Sequence, residues 1–444
     1  MSANDPKRAE KPTPILPVEL GQDRIPYARG MRAGDWVFAT GLMGQDFKTG
    51  IPADVISKGL PYGGRPKQEK ESDLLFSNLE AVLKAGGTEF ANVVRFDQFY
   101  TSPAPVYPYH MARFKRFPKA IPPSTSVLMK RLVLADAETD VNALAVVPNG
   151  KNNVELISNS SLSVPSSSGF SPGFRTGDYV FLSGGMATPP PTEETRNGLA
   201  MEATAADHWR WLGRPIEMET RYAVAKKMKR TLELAGSSLK NVIKGQAYVT
   251  HVEDIAVFSA TWQDIFKDSP VPVTIVPMPD PAFGIKGART EINLVALTDE
   301  GATKKEVIDA GVFTGYEGMP NAVRAGDLLL LTGLMAADPS GLVPEARLDP
   351  HQPWFGSTIK GQARSILGKA QKICEAAGTS LANVVRIEQF HTNIAEFHPT
   401  TEVWREFLPG QSLPFSAVEC GPTMPVPGAT LLMDLWVWIP PSRA

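Results

Sequence analysis

The chain has almost no cysteine: Cys374 and Cys420 are its two thiols in 444 residues. A disulfide-stapled fold is excluded on that count, and a reducing compartment, the cytoplasm, is the expected location. Long apolar runs are missing too. No stretch approaches the ~18 residues a membrane helix needs, and the opening MSANDPKRAEKPTP is polar rather than signal-like. Charge of one sign is not in excess. Lys and Arg number 45 against 47 Asp and Glu, a net −2, so neither nucleic acid nor an anionic membrane is an expected partner. No His/Cys cluster has zinc-ligand spacing and no glycine-rich phosphate loop is present, so no metal and no cofactor is expected.

What the chain does have is a sentence spoken three times. RAGDWVFATGLM begins at Arg32, RTGDYVFLSGGM at Arg175 and RAGDLLLLTGLM at Arg324. Later in each copy stand AGGTEFANVVR, AGSSLKNVIK and AGTSLANVVR, with Asn92, Asn241 and Asn383 in register. The Arg-to-Asn separations are 60, 66 and 59 residues, so spacing is kept along with wording. Repetition at this period means tandem structural units. The expected division is a flexible tail over 1–18 and units over 19–150, 151–304 and 305–444.

Each copy reads as α+β. In the first, 36–40 is an apolar run after a Gly-Asp turn, hence a strand. Leu75, Leu79, Val82 and Leu83 share one helical face over 73–85, stopped by Gly86-Gly87. Strands follow at 93–101, 242–250 and 384–392. A second helix is anchored by Tyr107, Phe114 and Phe117, by Phe258, Trp262 and Phe266, and by Phe397, Trp404 and Phe407. Terminal strands close the copies at 141–147, 292–297 and 430–439. Two helices cover one face of each sheet and leave the other bare. Three such sheets around a pseudo-threefold axis can cover one another, which predicts an intrachain pseudo-trimer.

These motifs resemble the RidA (YjgF) family of reactive-intermediate deaminases. PYARGMRAGD from Pro26 is similar to its opening Pro-Tyr-x-x-Gly signature, and the Ser/Thr-Gly step, the Asn-Val passage and the last strand also match. The resemblance implies a chorismate-mutase-like α+β unit, homotrimers, and ligand sites in the clefts between subunits, here between repeats. It also implies Tyr27 and the Ser/Thr positions Thr40, Ser183 and Thr332 as binding residues. The family's catalytic Glu falls on Asp140, Glu291 and Leu432. Its carboxylate-binding Arg is absent from every copy, where Ser124, Pro272 and Phe415 stand instead.

Each copy also carries an enlarged loop: GLPYGGRP from Gly59, HWRWLGRP from His208 and HQPWFGST from His351. Tyr62 and Trp211 lie 30 residues before their Asn, and Trp354 lies 29; Arg65 and Arg214 each lie 27 before theirs. Arginine suits a carboxylate, an aromatic ring suits a planar substrate, and histidine moves protons near neutrality. The expected function is therefore hydrolytic deamination of a small carboxylated enamine of 2-aminomuconate type. Glu291, Asp140, His208 and His351 are the candidate catalytic residues; Arg65, Arg214, Tyr62, Trp211 and Trp354 join Tyr27 and the Ser/Thr set in binding. Two alternatives stand beside it. One is a ring-opening amide hydrolase of the cyanuric-acid type, with Lys130 and Lys286 as base candidates; the other is a binder that has lost chemistry. A homodimer of pseudo-trimers is the expected assembly beyond the chain.

Overall fold

A computed structural model of the protein describes residues 9–56, 64–158, 162, 169–190, 193–204, 214–279, 281–352 and 354–441. The chain is mixed α+β, built on three large sheets whose strands follow one order. In the first sheet that order is Ala9–Leu20, Ile25–Gly34, Trp36–Leu42, Thr139–Val146, Val93–Tyr100, Ser124–Leu128. The second runs Val154–Ile157, Gly173–Thr176, Tyr179–Leu182, Thr290–Thr298, Ser237–Val249, Val273–Pro277. The third runs Lys305–Ile308, Ala322–Ala325, Leu328–Leu331, Leu431–Trp438, Val384–His391, Phe415–Glu419, and gains Arg131–Leu132 from the first repeat at its edge. The Arg-x-Gly-Asp motif makes the hairpin turn between the second and third strands of each. Its glycines, Gly34, Gly177 and Gly326, sit at φ 56, 53 and 58, a left-handed backbone that other residues resist. Arg32 and Arg175 cap the same turn, each Nε donating to the glycine carbonyl at 3.0 and 3.3 Å.

Two helices cover the outer face of each sheet: Lys67–Ala85 with Val106–Arg116, Pro215–Leu234 with Ile255–Ile265, and Thr358–Ala376 with Phe397–Phe407. In the second pair the stretch Arg221–Met228 is π-helical. Glu71, Glu219 and Gln362 all hold the backbone at the start of a terminal strand. Glu219 stands 22 residues before Asn241, whereas Glu71 and Gln362 stand 21 before their asparagines. The widened turns absorb that extra residue.

Two expectations are corrected. The predicted tail over 1–18 overlaps a strand, Ala9–Leu20, paired along Ile25–Gly34. Pro12, Pro14 and Pro17 argue against a strand in sequence, but an edge strand needs ladder donors on one side only. In Val106–Arg116, Tyr107 is 69% and Phe114 37% exposed. The helix turns Tyr109 and Arg113 inward instead: Tyr109 stacks on Phe76 at 5.2 Å and Arg113 bonds the Ser124 hydroxyl at 3.1 Å.

The inner faces of the three sheets meet. A bulge recurs at one position in each: Val93 faces Ala145 and Arg95 faces Leu144, leaving Val94 extra, and Ile243 and Val385 are extra likewise. A bulge puts two consecutive side chains on the same face. Val94, Ile243 and Val385 thus join one apolar cluster with Trp36, Phe181 and Trp436, drawn from all three sheets. Directly beyond it lie Arg95, Lys244 and Arg386, all buried. Each cation reaches the next sheet in turn. Arg95 Nη2 donates to Asn293 Oδ1 at 2.8 Å, Lys244 Nζ to Asp434 at 2.6 Å, and Arg386 Nη2 to Asp97 at 2.9 Å. Asp97, Glu388 and Asp434 balance the three charges, so the ring is closed electrostatically.

Candidate functional site

Where the first sheet meets the third, the chain is stitched through backbone. Ala28 N donates to Leu413 O at 3.0 Å, and Gly41 lies so close to Phe415 that a Cβ there would stand 2.1 Å from the Phe415 carbonyl oxygen. Around this stitch opens a cavity of about 320 Å³. Its walls are Tyr27, Phe47, Phe397 and Phe415; exposed Asp23, Lys48 and Thr49 mark its mouth, and buried Asp140 its inner end. Tyr27 lies 4.9 Å from Phe415 and stacks on Phe47 at 6.2 Å, ring centre to ring centre. Its hydroxyl donates to Thr40 O at 2.5 Å, which fixes the phenol at the sheet.

Asp140 is set by the ladder opposite Phe99 and is fully buried. The Ser416 hydroxyl, from the third sheet, donates to its Oδ2 at 3.1 Å, while Oδ1 has no partner among the described residues. Burial pushes the carboxyl up to about 8; the Ser416 bond offsets part of this and the charge of Glu388 adds to it. At neutral pH the group is therefore a neutral acid with a proton to give. Phe47 is brought in by a tight loop. Asp46 Oδ1 accepts from Lys48 N and Thr49 N at 2.8 and 2.7 Å, and these bonds, led by that from the Thr49 hydroxyl, hold the Asp46 carboxyl at about 2.

Tyr27, Thr40 and Asp140 thus come together at one cleft. Ser183 and Glu291 sit at the junction of the first and second sheets. The Ser183 hydroxyl accepts from Ser124 N at 2.9 Å, and Gly184 packs against the Glu291 carboxyl. Burial raises that carboxyl to about 8, opposed by the charge of Lys227. Thr332 sits at the third junction, its hydroxyl on Pro320 O at 2.5 Å beside Gly333, which packs on Thr274 and Leu432.

The enlarged-loop residues stand apart from the cavity. Arg65 is 53% exposed and pairs at 3.2 and 2.5 Å with Glu69 and Asp73 of the helix it precedes. Arg214 precedes Pro215–Thr220 and is exposed, His351 is exposed, and Trp354 is 89% exposed. Tyr62, His208 and Trp211 lie outside the described residues. Lys130 pairs with Glu419 at 2.6 Å and Lys286 is exposed, so neither meets a serine in a pocket. Phe47 and Ser416 carry no signal in the sequence, and Phe397 reads there only as a helix anchor, because they reach the cavity through loop geometry and a neighbouring repeat. Among the described residues no acidic, His or Cys group could hold a metal, and no helix is long and apolar enough to cross a membrane.

Comparison with known proteins gives relatives for parts of the chain. A curated relative, the mitochondrial protein mmf2 of Schizosaccharomyces pombe, is 30% identical over 88 residues, 20% of this chain. The chain spans 60% of that relative's length. Among solved structures, a chorismatase is 12% identical with TM-score 0.47, covering 78% of this chain and 93% of its own. YyfA of the Rid protein family, from Yersinia pestis, is 21% identical with TM-score 0.26, covering 31% and 100%. Yeast Mmf1 is 16% identical with TM-score 0.26, covering 33% and 98%. Residues 316–431, most of the third sheet with its helices, match the family described as Endoribonuclease L-PSP.

Proposed function

We propose that the chain is three fused RidA-like units standing in for a trimer, and that the cavity between the first and third hydrolyses a small conjugated enamine or imine. The observation that carries this reading is Asp140, a buried acid with one free oxygen at an aromatic-walled cavity and a proton retained up to about pH 8. In the reaction the Asp140 carboxylic acid protonates the enamine carbon, and the nitrogen lone pair forms the C=N bond of an iminium. Water adds to the nitrogen-bearing carbon of that iminium, and the Asp140 carboxylate takes the water's proton. The carbinolamine then expels nitrogen as ammonia and leaves a carbonyl, so one water is consumed per ammonia. The rings of Tyr27, Phe47 and Phe415 flank a flat substrate and keep bulk water out.

A carboxylated substrate of 2-aminomuconate type is the form to test first. The test is ammonia release from enzymatically generated enamines, with intact protein and with Asp140→Asn. Release above the spontaneous rate that disappears in the variant supports the reading; equal release with and without protein ends it. A second reading, a binder without turnover, is favoured by Phe415, which stands where the family resemblance expects a carboxylate-binding arginine. Ligand affinity without ammonia would select it.

A further inference from the structure

We infer that Arg29 recognises an anionic end of the cavity's ligand and that Phe47 is the gate in front of it. This rests on the cavity between the first and third sheets being the ligand site. Arg29 follows Tyr27 by two residues on Ile25–Gly34, so both side chains leave the same face of the strand. Tyr27 lines the cavity, and Arg29 lies behind the next ring along: its Cζ is 3.7 Å from the centre of Phe47, which also lines the cavity. Phe47 therefore separates a cation from the space a ligand would occupy.

The guanidinium is an unspent group. Arg29 has no hydrogen bond and no ion pair among the described residues, and its Nε is buried without an acceptor. An arginine fork has five donors, and leaving a buried one unmade is unfavourable unless something restores the bond. Equivalent positions in the other two sheets hold no such cation. Three residues before Arg175 and Arg324, as Arg29 is before Arg32, stand Pro172 and Asn321. Asn321 is fully engaged, accepting from Ala310 N at 2.7 Å and donating to Val312 O at 2.6 Å. The unpartnered cation belongs to the sheet that borders the cavity.

The cover is itself unusual. Phe47 has φ 65, a left-handed conformation that residues with a Cβ disfavour. The Asp46 turn fixes the loop backbone on either side, so the movable part is the Phe47 side chain. Strained residues of this kind gather at ligand clamps and switches. Turning the ring aside exchanges a cation–π contact for a bidentate arginine–carboxylate pair. The charge layout favours a ligand with one anionic end. At the mouth Lys48 and Asp23 offset each other, and Asp140 at the inner end is neutral and does not repel a carboxylate, so the cation behind Phe47 sets the preference. A conjugated chain then lies between Phe415 and Tyr27 with its carboxylate toward Arg29.

The probe is trans,trans-muconate, a flat dicarboxylate, against its uncharged diamide, by titration calorimetry on the full chain. The intact protein is expected to bind muconate more tightly than the diamide. Arg29→Gln is expected to weaken muconate on the order of 10–100-fold and leave the diamide unchanged, with Arg29→Lys between. In stopped-flow mixing, Phe47→Ala is expected to raise the association rate. Absence of muconate binding, equal losses for both ligands in Arg29→Gln, no loss, or an unchanged association rate in Phe47→Ala overturns the inference. Muconate carries no nitrogen, so failure of deamination is read separately, as ammonia never released while this binding persists.

Discussion

Arg386 of the third sheet reaches Asp97 of the first at 2.9 Å, and the same guanidinium holds Glu388 at 2.6 Å and Asp434 at 3.0 Å. One cation thus touches three buried carboxylates and closes the ring that joins the sheets. Arg386→Met keeps much of the volume and removes the charge, leaving carboxylates with Arg95 and Lys244 alone. Breaking a buried pair from one side costs about 3–5 kcal/mol. Urea unfolding is expected to show a loss of that size, and a loss under ~1 kcal/mol would mean the ring is dispensable.

Asp140 makes stability depend on pH in a direction opposite to that of most carboxylates. Its ordinary value is 3.8 and its folded value is about 8. Between those values the unfolded chain ionises and the folded chain does not, so the folded state binds the extra proton and loses relative stability as pH rises. Asp140→Asn has no such proton. The variant is expected to match the parent near pH 4, gain on it progressively up to about pH 8, and hold a constant lead beyond. Unfolding curves for both proteins at several pH values check the slope, and a lead that shrinks with pH contradicts it. Turnover of the parent is expected to fall above about pH 8 as the acid loses its proton.

Gly41 and Gly236 share a φ of 68 but not their surroundings. A Cβ at Gly41 would meet the Phe415 carbonyl oxygen at 2.1 Å, whereas one at Gly236 meets nothing within 4 Å. Gly236→Ala therefore reports backbone strain alone, about 1–2 kcal/mol. Gly41→Ala adds a clash with backbone across the seam, and is expected to cost at least ~2 kcal/mol more and to abolish ligand binding. Equal thermal shifts for the pair would show that the seam yields easily.

Much of this was legible in the sequence because it depends on local patterns. Arg-x-Gly-Asp marks a turn that needs a left-handed residue, and Gly34, Gly177 and Gly326 supply one at each hairpin. Apolar periodicity gives Leu75, Leu79, Val82 and Leu83 their buried face. Asp140 was reachable as the residue matching a family carboxylate. The rest is set by neighbours distant in sequence. Lys244 lies on an apolar strand with nothing nearby to neutralise it, and its partner Asp434 is 190 residues away. Phe47 and Arg29 meet only through a loop whose course is decided by Asp46. On helix Val106–Arg116 the rings divide between two sides: Tyr107 and Phe114 face outward, while Tyr109 packs inward beside Arg113, which reaches the Ser124 hydroxyl.

Arg65 and Trp354 show why aligned loop residues need not make a site. The Arg65 guanidinium is held by Glu69 and Asp73 on an exposed helix surface, and Trp354 is 89% exposed. Exposed ion pairs contribute about 0–1 kcal/mol. Arg65→Ala and Trp354→Ala are expected to shift the urea midpoint only slightly and to leave muconate affinity within twofold of the parent, within about 0.5 kcal/mol. A tenfold loss of affinity in either would bring the loops back to the ligand.

Phe415→Arg restores the side-chain type that the family resemblance expects. Phe415 packs against Tyr27 at 4.9 Å and Phe397 at 5.0 Å, and the adjacent Ser416 holds Asp140. Removing the ring forfeits those contacts, so the melting temperature is expected to fall. The incoming guanidinium enters the cavity that Asp140 borders, and an opposite charge within ~4–6 Å lowers a carboxyl by about 1–3 units. The Asp140 titration, followed by carboxyl-carbon NMR, is therefore expected to move down from about 8, and the alkaline fall in turnover to move with it. A folded variant whose Asp140 still titrates near 8 would place residue 415 out of electrostatic reach. The aromatic wall and the acid would then be separate features rather than two sides of one pocket.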